Sequence, residues 1–317
     1  MASPNTSFSE IITTTIRNRS GALADNVSNG NAILRRLTAK GNRKAATGRT
    51  IIQELEYAEG TFQWYSGYEV INITPPDVIT AAEYNWKQAA SPVSVSGLES
   101  DVQNTGKEAK INLVEARVKN AEKTLRNNIT AGLYSDGTGS SGKQLTGLAA
   151  AVPVDPTTGT YGGINRSATN STFWRSQQTD GTAITSTSIT ASMNTTWLNC
   201  VRGTDTPDLI MADSLLYGFY LASLQSIQRI MSSEMAEAGF TSLKYMDADV
   251  VFEDASITAN RMYFLNTDYL FLRFSPKRNF TPLENVQSVN QDACTQLIVW
   301  AGELTVSNSS VQGLLHT

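Results

Sequence analysis

Ile111, Val114, Val118, Ala121, Leu125 and Ile129 recur at three- and four-residue spacing, while Lys107, Glu108, Glu115, Arg117, Lys119, Glu122, Lys123 and Arg126 occupy the other faces. This periodicity predicts one amphipathic helix from about Lys107 to Ala131, ended by Gly132. At 1.5 Å per residue it is about 40 Å long, roughly twice a usual globular helix. Such an element suits a strut laid along a thin plate better than the interior of a compact ball.

The segments on either side differ in character. Residues 1–49 carry eight basic side chains (Arg17, Arg19, Arg35, Arg36, Lys40, Arg43, Lys44 and Arg49) against Glu10 and Asp25, a net +6 in a chain whose total is −4. Within this arm, Ile33, Leu34 and Leu37 share one face of a short helix from Asn31 to Lys40 that stops at Gly41; Gly41 to Gly48 reads as a loose basic stretch. Three readings of the charge stay open: attraction to nucleic acid or another polyanion, docking on an acidic neighbouring subunit, or plain solvation. The side chains expected to carry either of the first two are Arg35, Arg36, Arg43 and Lys44.

Residues 50–95 hold seven aromatics between Tyr57 and Trp86. Ala82, Tyr84, Trp86 and Gln88 alternate with Glu83, Asn85 and Lys87, and Phe62 and Trp64 have the same spacing, which signals strands. Ser66-Gly67 and Pro75-Pro76 break the run. The reading is a long two-stranded excursion with an irregular tip. A lone hairpin is marginal in water, so its aromatics need a surface, either the protein's own core or a neighbouring subunit. Trp64, Tyr65, Tyr68, Tyr84 and Trp86 are the expected subunit contacts.

Beyond the long helix, Gly137, Gly139 and Gly142 match G-x-G-x-x-G in form, but no strand precedes them and no clear helix follows, so a loop is the better reading than a cofactor site. Residues 151–185 are loop-rich. A helix is expected from Ser188 and a strand at 208–212, followed by a second helix capped by Asp213. A strand is expected at 249–253, a hairpin of 262–265 with 269–273 across Asn266-Thr267-Asp268, and a last strand over 296–306. Mixed helices and strands without a βαβ repeat indicate an α+β fold.

Composition narrows the function. The only histidine is His316, which removes most acid–base catalysis, histidine metal sites and Ser–His or Cys–His pairs. Cys200 and Cys294 stand alone, without a disulfide framework or zinc spacing. Neither a cofactor nor a metal is expected. The acidic pairs Glu99/Asp101, Asp247/Asp249 and Glu253/Asp254 are placed for solvent rather than across a hydrolytic cleft. A sugar- or receptor-binding protein fits the Ser, Thr and Asn content but not the strut and basic arm. No apolar run approaches the roughly 20 residues that span a bilayer, and the first residues lack the layout of a secretory signal.

Taken in order, the segments GYEVINITPPDVITAAEYNWKQ (67–88), GLYSDGTG (132–139), MYFLNTDYLFLRFSPKRNFTPLE (262–284) and SVNQDACTQLIVWAGELTVSNSSVQGLL (288–315) resemble the major capsid proteins of tailed bacteriophages, with the Hong Kong 97-type fold shared by encapsulins. The resemblance implies an N-terminal arm (1–49), an extended β-hairpin or E-loop (50–95), a peripheral domain with its long spine helix (96–150), an axial domain (151–285) and a C-terminal return strand to the peripheral domain (286–317). It implies a non-enzymatic subunit that self-assembles, through hexamers and pentamers, into the icosahedral head around double-stranded DNA held without sequence preference. That shell is assembled in the host bacterial cytoplasm, with a portal and a decoration protein as further partners; an encapsulin-like compartment is the alternative. The early spine helix leaves no room for a scaffolding segment, which implies a separate scaffold protein or none. Lys87 lies in the expected E-loop, but the Asn and Glu of the family's covalent cross-link are not matched residue by residue, and no cross-link is carried over.

Overall fold

The computed structural model describes residues 32–96, 107–181, 183–224, 242–253, 257–284, 286–287 and 293–317. Most of the expected arm, including Arg17 and Arg19, lies outside these residues. What is described of it begins with α1 (Ala32–Ala39), where Ile33, Leu34 and Leu37 are buried as their spacing requires, and Gly41 turns left-handed at φ 71° to end the helix. The following stretch is not loose. Residues Arg43–Ala45 form β1, parallel to the first part of β12 (Leu270–Pro282), with Lys44 4.7 Å from the Phe271 ring and Arg43 5.8 Å from the Phe274 ring. Cation–π contact with two aromatics on the receiving strand orders residues whose composition alone reads as solvated.

Three further strands build the first layer. The excursion's stem pairs β2 (Ile51–Glu56) with β3 (Ile79–Tyr84), antiparallel. Then β4 (Lys87–Ser96) leaves the stem and pairs with a strand some two hundred residues later, β14 (Ala293–Val306). The expected excursion, 50–95, therefore takes in β4, which pairs with β14 and not with the stem. Burial of Ser91, Val93 and Val95 alternates with exposure along it, the period of two that one covered face produces. That sheet runs β4, β14, β12, β1, with β13 (Val286–Gln287) also beside β14.

Against β4 lies α2 (Lys107–Leu133), the long helix, two residues longer than expected at its C-terminal end. Val118, Ala121, Leu125 and Ile129 are buried, with Val118, Leu125 and Ile129 each contributing about 1.5–3 kcal/mol. The side chains of its first turns, Ile111 and Val114 among them, lie outside the described residues. The glycine-rich loop that follows is a tight turn with Ser140 and Ser141 left-handed and no helix N-terminus aimed at a ligand.

The second layer begins with a small hairpin, β5 (Thr160–Tyr161) and β6 (Ile164–Asn165), and then β7 (Gln177–Asp180). Helix α3 (Ile189–Cys200) starts where Ser188 predicts it. Strand β8 (Leu209–Ala212), all four residues buried, runs into α4 (Ser214–Ser223), and Asp213 Oδ1 accepts from Leu216 N at 3.0 Å as the expected cap. The strands β9 (Ser242–Tyr245), β10 (Ala248–Phe252) and β11 (Arg261–Leu265) follow. The sheet order is β7, β15, β11, β8, β10, β9, where β15 is Gly313–His316. Helices α3 and α4 cover one face, and residues that join the first layer's core (Met211, Val251, Tyr263) cover the other.

Two expectations fail here. The hairpin across 266–268 does not form: β11 pairs with β8 and β15, whereas β12 pairs with β1 and β14. Asn266 and Gln312 exchange buried hydrogen bonds (Asn266 N to Gln312 Oε1 and Gln312 Nε2 to Asn266 O, each 3.0 Å), and this pair carries the chain from one sheet to the other. The chain end does not return to the first layer either. The expected return strand is β14, and β15 goes back between β7 and β11 with Leu314 and Leu315 fully buried. At Gly313 a Cβ would meet Cys200 Sγ at 2.4 Å, so only glycine lets the strand pass over α3. The sheets thus place 270–282 and 293–306 with the spine helix, and 313–316 with the axial residues.

Candidate assembly surfaces

From the base, the excursion is locked to its own chain. Tyr84 is buried, its hydroxyl set against Val306 N (3.3 Å) and Val306 O (3.2 Å) and its ring edge-on to Tyr161 at 5.4 Å. Trp86 is half-buried, and its indole N–H donates to Gly48 O at 3.0 Å, tying the two ends of the stem together. Gly162, at φ 57°, accepts at its carbonyl from Glu83 N–H, and a Cβ there would sit 2.9 Å from Ala82 Cβ. Tyr84 and Trp86 are thus held by their own chain; the period-two spacing marks the strand but does not distinguish which partner covers its face.

Beyond Glu56 the legs separate from the ladder. Pro75 and Pro76 supply no N–H, and the remaining tethers are mostly side-chain rungs such as Thr61 Oγ1 to Thr74 O at 3.2 Å and Asn72 N to Gln63 Oε1 at 3.1 Å. A turn at Ser66–Glu69 with Gly67 left-handed reverses the chain. Here Phe62, Trp64, Tyr65, Tyr68, Val70 and Ile73 all face outward; Trp64 is 87% exposed and touches only Phe62, edge-on at 5.1 Å, among the rings. A contiguous apolar segment of this kind marks a contact surface. Trp64, Tyr65 and Tyr68 are thus exposed together on the tip.

The arm's charge meets carboxylates of the same chain. Arg36 Nε lies 3.0 Å from Asp208 and its Nη1 3.6 Å from Asp249, while Lys40 Nζ lies 2.9 Å from Asp208 and 2.8 Å from Asp268. Thr267 adds two donors to Asp208, its N–H at 2.7 Å and its hydroxyl at 2.6 Å. Burial alone would raise the Asp208 carboxyl, but donation by Thr267 and Lys40 outweighs it and holds the pKa below the usual carboxylate range. Of the four expected docking cations, Arg36 is thus engaged internally and Arg43 and Lys44 lie on aromatic rings; Arg35 is half-buried.

One residue has no sequence signal. Glu303 is buried on β14, and its Oε1 accepts from Thr146 N at 2.9 Å and Leu304 N at 3.1 Å. Burial pushes its carboxyl up to about 8, with the two N–H donors opposing only in part. The folded value lies above the ordinary 4.5, so folding takes up a proton and stability is full below about pH 4.5 and falls as pH rises toward 8. Glu303→Gln keeps an acceptor for both N–H groups. Thermal melts from pH 5 to 8.5 are expected to show the parent losing about 2–4 kcal/mol across that window and the variant losing far less. Parallel curves would show that the buried carboxyl does not titrate there.

With this geometry established, the likeness to solved structures is specific. The chain superposes on a subunit of the cyanophage A-1(L) capsid with a TM-score of 0.65 at 16% identity, covering 87% of this chain and 90% of that one. The fold is that of phage capsid subunits. The Hong Kong 97-type capsid fold also matches Gordonia phage Cozz at a TM-score of 0.55, 11% identity, 87% of this chain and 85% of that one. An encapsulin complex from Synechococcus elongatus PCC 7942 aligns at 0.52, 9% identity, 90% and 88%. No family model and no curated protein matches the sequence. We refer to α2 as the spine helix, to β2–β3 with its tip as the E-loop and to the six-stranded sheet as the axial sheet.

Proposed function

We propose that the chain is a structural shell subunit of a tailed-phage head, without catalytic activity, that assembles with copies of itself around double-stranded DNA. The observation that carries this reading is the outward apolar E-loop tip on a capsid fold: Trp64, Tyr65 and Tyr68 have no cover within their own chain. Many copies of one modest contact, closed by symmetry, give a shell stability that no single contact has. Assembly in the host cytoplasm, with a portal and separate scaffold or decoration proteins, belongs to the same reading.

The test is sedimentation and light scattering of the overexpressed protein, with and without a scaffold protein. Pentamers, hexamers or closed shells are expected. A species that stays monomeric at high concentration in both cases would contradict the proposal. Co-purification of a protein cargo inside closed shells would favour an encapsulin-like compartment instead.

A further inference from the structure

Strand β4 lies at one edge of its sheet: among the described residues it pairs with β14 alone. Ser94 O turns away from β14 and accepts from Arg117 Nη1 of the spine helix at 2.6 Å. In an antiparallel strand the N–H and C=O of one residue point the same way, and the direction alternates along the chain. Ala90, Pro92 and Ser94 therefore present their main-chain groups on this outer side. Pro92 fits there, having no N–H to give to a ladder. From residue 88 to residue 96 the strand has no charged side chain. A ten-residue edge of this kind is a template for another strand unless something covers it. Beside it runs a groove of about 610 Å³, bounded by residues 91–96 and by Arg117, Asn120 and Thr124 along one stripe of the spine helix. Arg117 is the single charged residue of that lining.

The arm ahead of α1 contains a segment of matching character. Residues 11–16 (IITTTI) are six β-branched side chains in succession, a composition that favours an extended strand. Glu10, the one charge in 10–16, complements Arg117. Residues 10–16 span about 23 Å when extended, against about 20 Å for residues 91–96. We infer that residues 10–16 add as a strand to the outer edge of β4 in their own chain and close that edge in the unassembled subunit. Residues 17–31 tie the segment to α1 and reach up to about 50 Å. Strand β1, which follows α1, is in the same sheet as β4, with β12 and β14 between them, about 14 Å away across the strands. A tether of that length supplies the segment at a millimolar effective concentration, so its own edge is filled before that of a second molecule at micromolar concentration. The contact lies within one chain, and it stands or falls apart from the shell-subunit reading.

Amide hydrogen exchange on the unassembled full chain tests it, with two variants beside the parent. One lacks residues 1–20; the other, Ile12→Pro with Thr14→Pro, keeps the arm but denies it a ladder. The Ala90 and Ser94 amides are expected to exchange at least tenfold faster in both variants, with β8 unchanged. The proline variant keeps the comparison decisive if the truncated chain does not fold. Thr13→Cys, Thr14→Cys and Thr15→Cys, each combined with Ser94→Cys and Cys294→Ser, test the pairing directly, since Cys200 is buried. At least one of the three is expected to oxidise to a disulfide within a single chain, read by peptide mapping of the monomer band on a non-reducing gel. Equal exchange in parent and variants would show that the arm does not cover the edge. A disulfide formed only between chains would give the segment to a second copy and overturn the inference, as would no disulfide from any of the three.

Discussion

Replacing Trp64, Tyr65 and Tyr68 together with alanine is expected to abolish particle formation while leaving the melting temperature of the unassembled subunit within about 2 °C of the parent. Each exposed ring has about 1.5–3 kcal/mol to gain on burial, so losing three weakens every subunit contact by several orders of magnitude in association constant. The folded subunit loses nothing comparable, because Trp64 is 87% exposed and the tip has no ladder to break. Tyr84→Ala is the contrasting change. That side chain is buried beneath Val306 and Tyr161, and its removal should cost the subunit about 3–5 kcal/mol. Differential scanning calorimetry and sedimentation on the same preparations separate the two effects. A triple tip variant that melts many degrees lower would mean that the tip packs on its own chain.

Asp208→Ala has the second large expected effect. This carboxylate holds Arg36, Lys40 and two Thr267 donors at once, and its loss leaves two cations and an N–H short of an acceptor. Asp249 and Asp268 keep part of the cluster, so a loss of about 3 kcal/mol is expected rather than the full penalty of an isolated buried charge. The arm should loosen first, visible as faster proteolysis near α1 than in the parent. The depressed Asp208 pKa works in the usual acid-labile sense: its contribution is present above about pH 4 and is lost as pH falls through the folded value. Arg35→Ala, with no ion pair among those described, should change stability by less than about 0.5 kcal/mol. Equal melting of Asp208→Ala and parent would mean that the cluster is a surface arrangement of little weight.

What was legible in the sequence is what local spacing encodes. The spine helix, α1 with its Gly41 stop, α3 and the Asp213 cap each depend on residues within a few turns of one another, and each is where its pattern places it. The outward tip was legible too, because Gly67 and the two prolines prevent the legs from forming a regular ladder. What failed depends on long-range pairing. Tyr84 and Trp86 alternate like the tip aromatics, yet the strand they continue meets Val306 and Gly48, and nothing in a short window distinguishes that cover from a neighbouring subunit. The hairpin across 266–268 had suitable turn chemistry, but β11 and β12 each find two other strands, and Gln312 supplies the hydrogen bonds a hairpin would have made locally. Arg36 and Asp208 are 172 positions apart, so the arm's charge could be counted but its acidic counterpart could not be located. Glu303 looked like any other strand carboxylate until β14 proved to be central.

Cryo-electron microscopy of particles assembled from the full chain tests the central claim most directly. The expected result is a closed icosahedral shell in which the tip around Trp64 and Tyr68 of each copy is covered by the next. Discrete subunits under all assembly conditions, or shells in which every tip is folded onto its own chain, would contradict it.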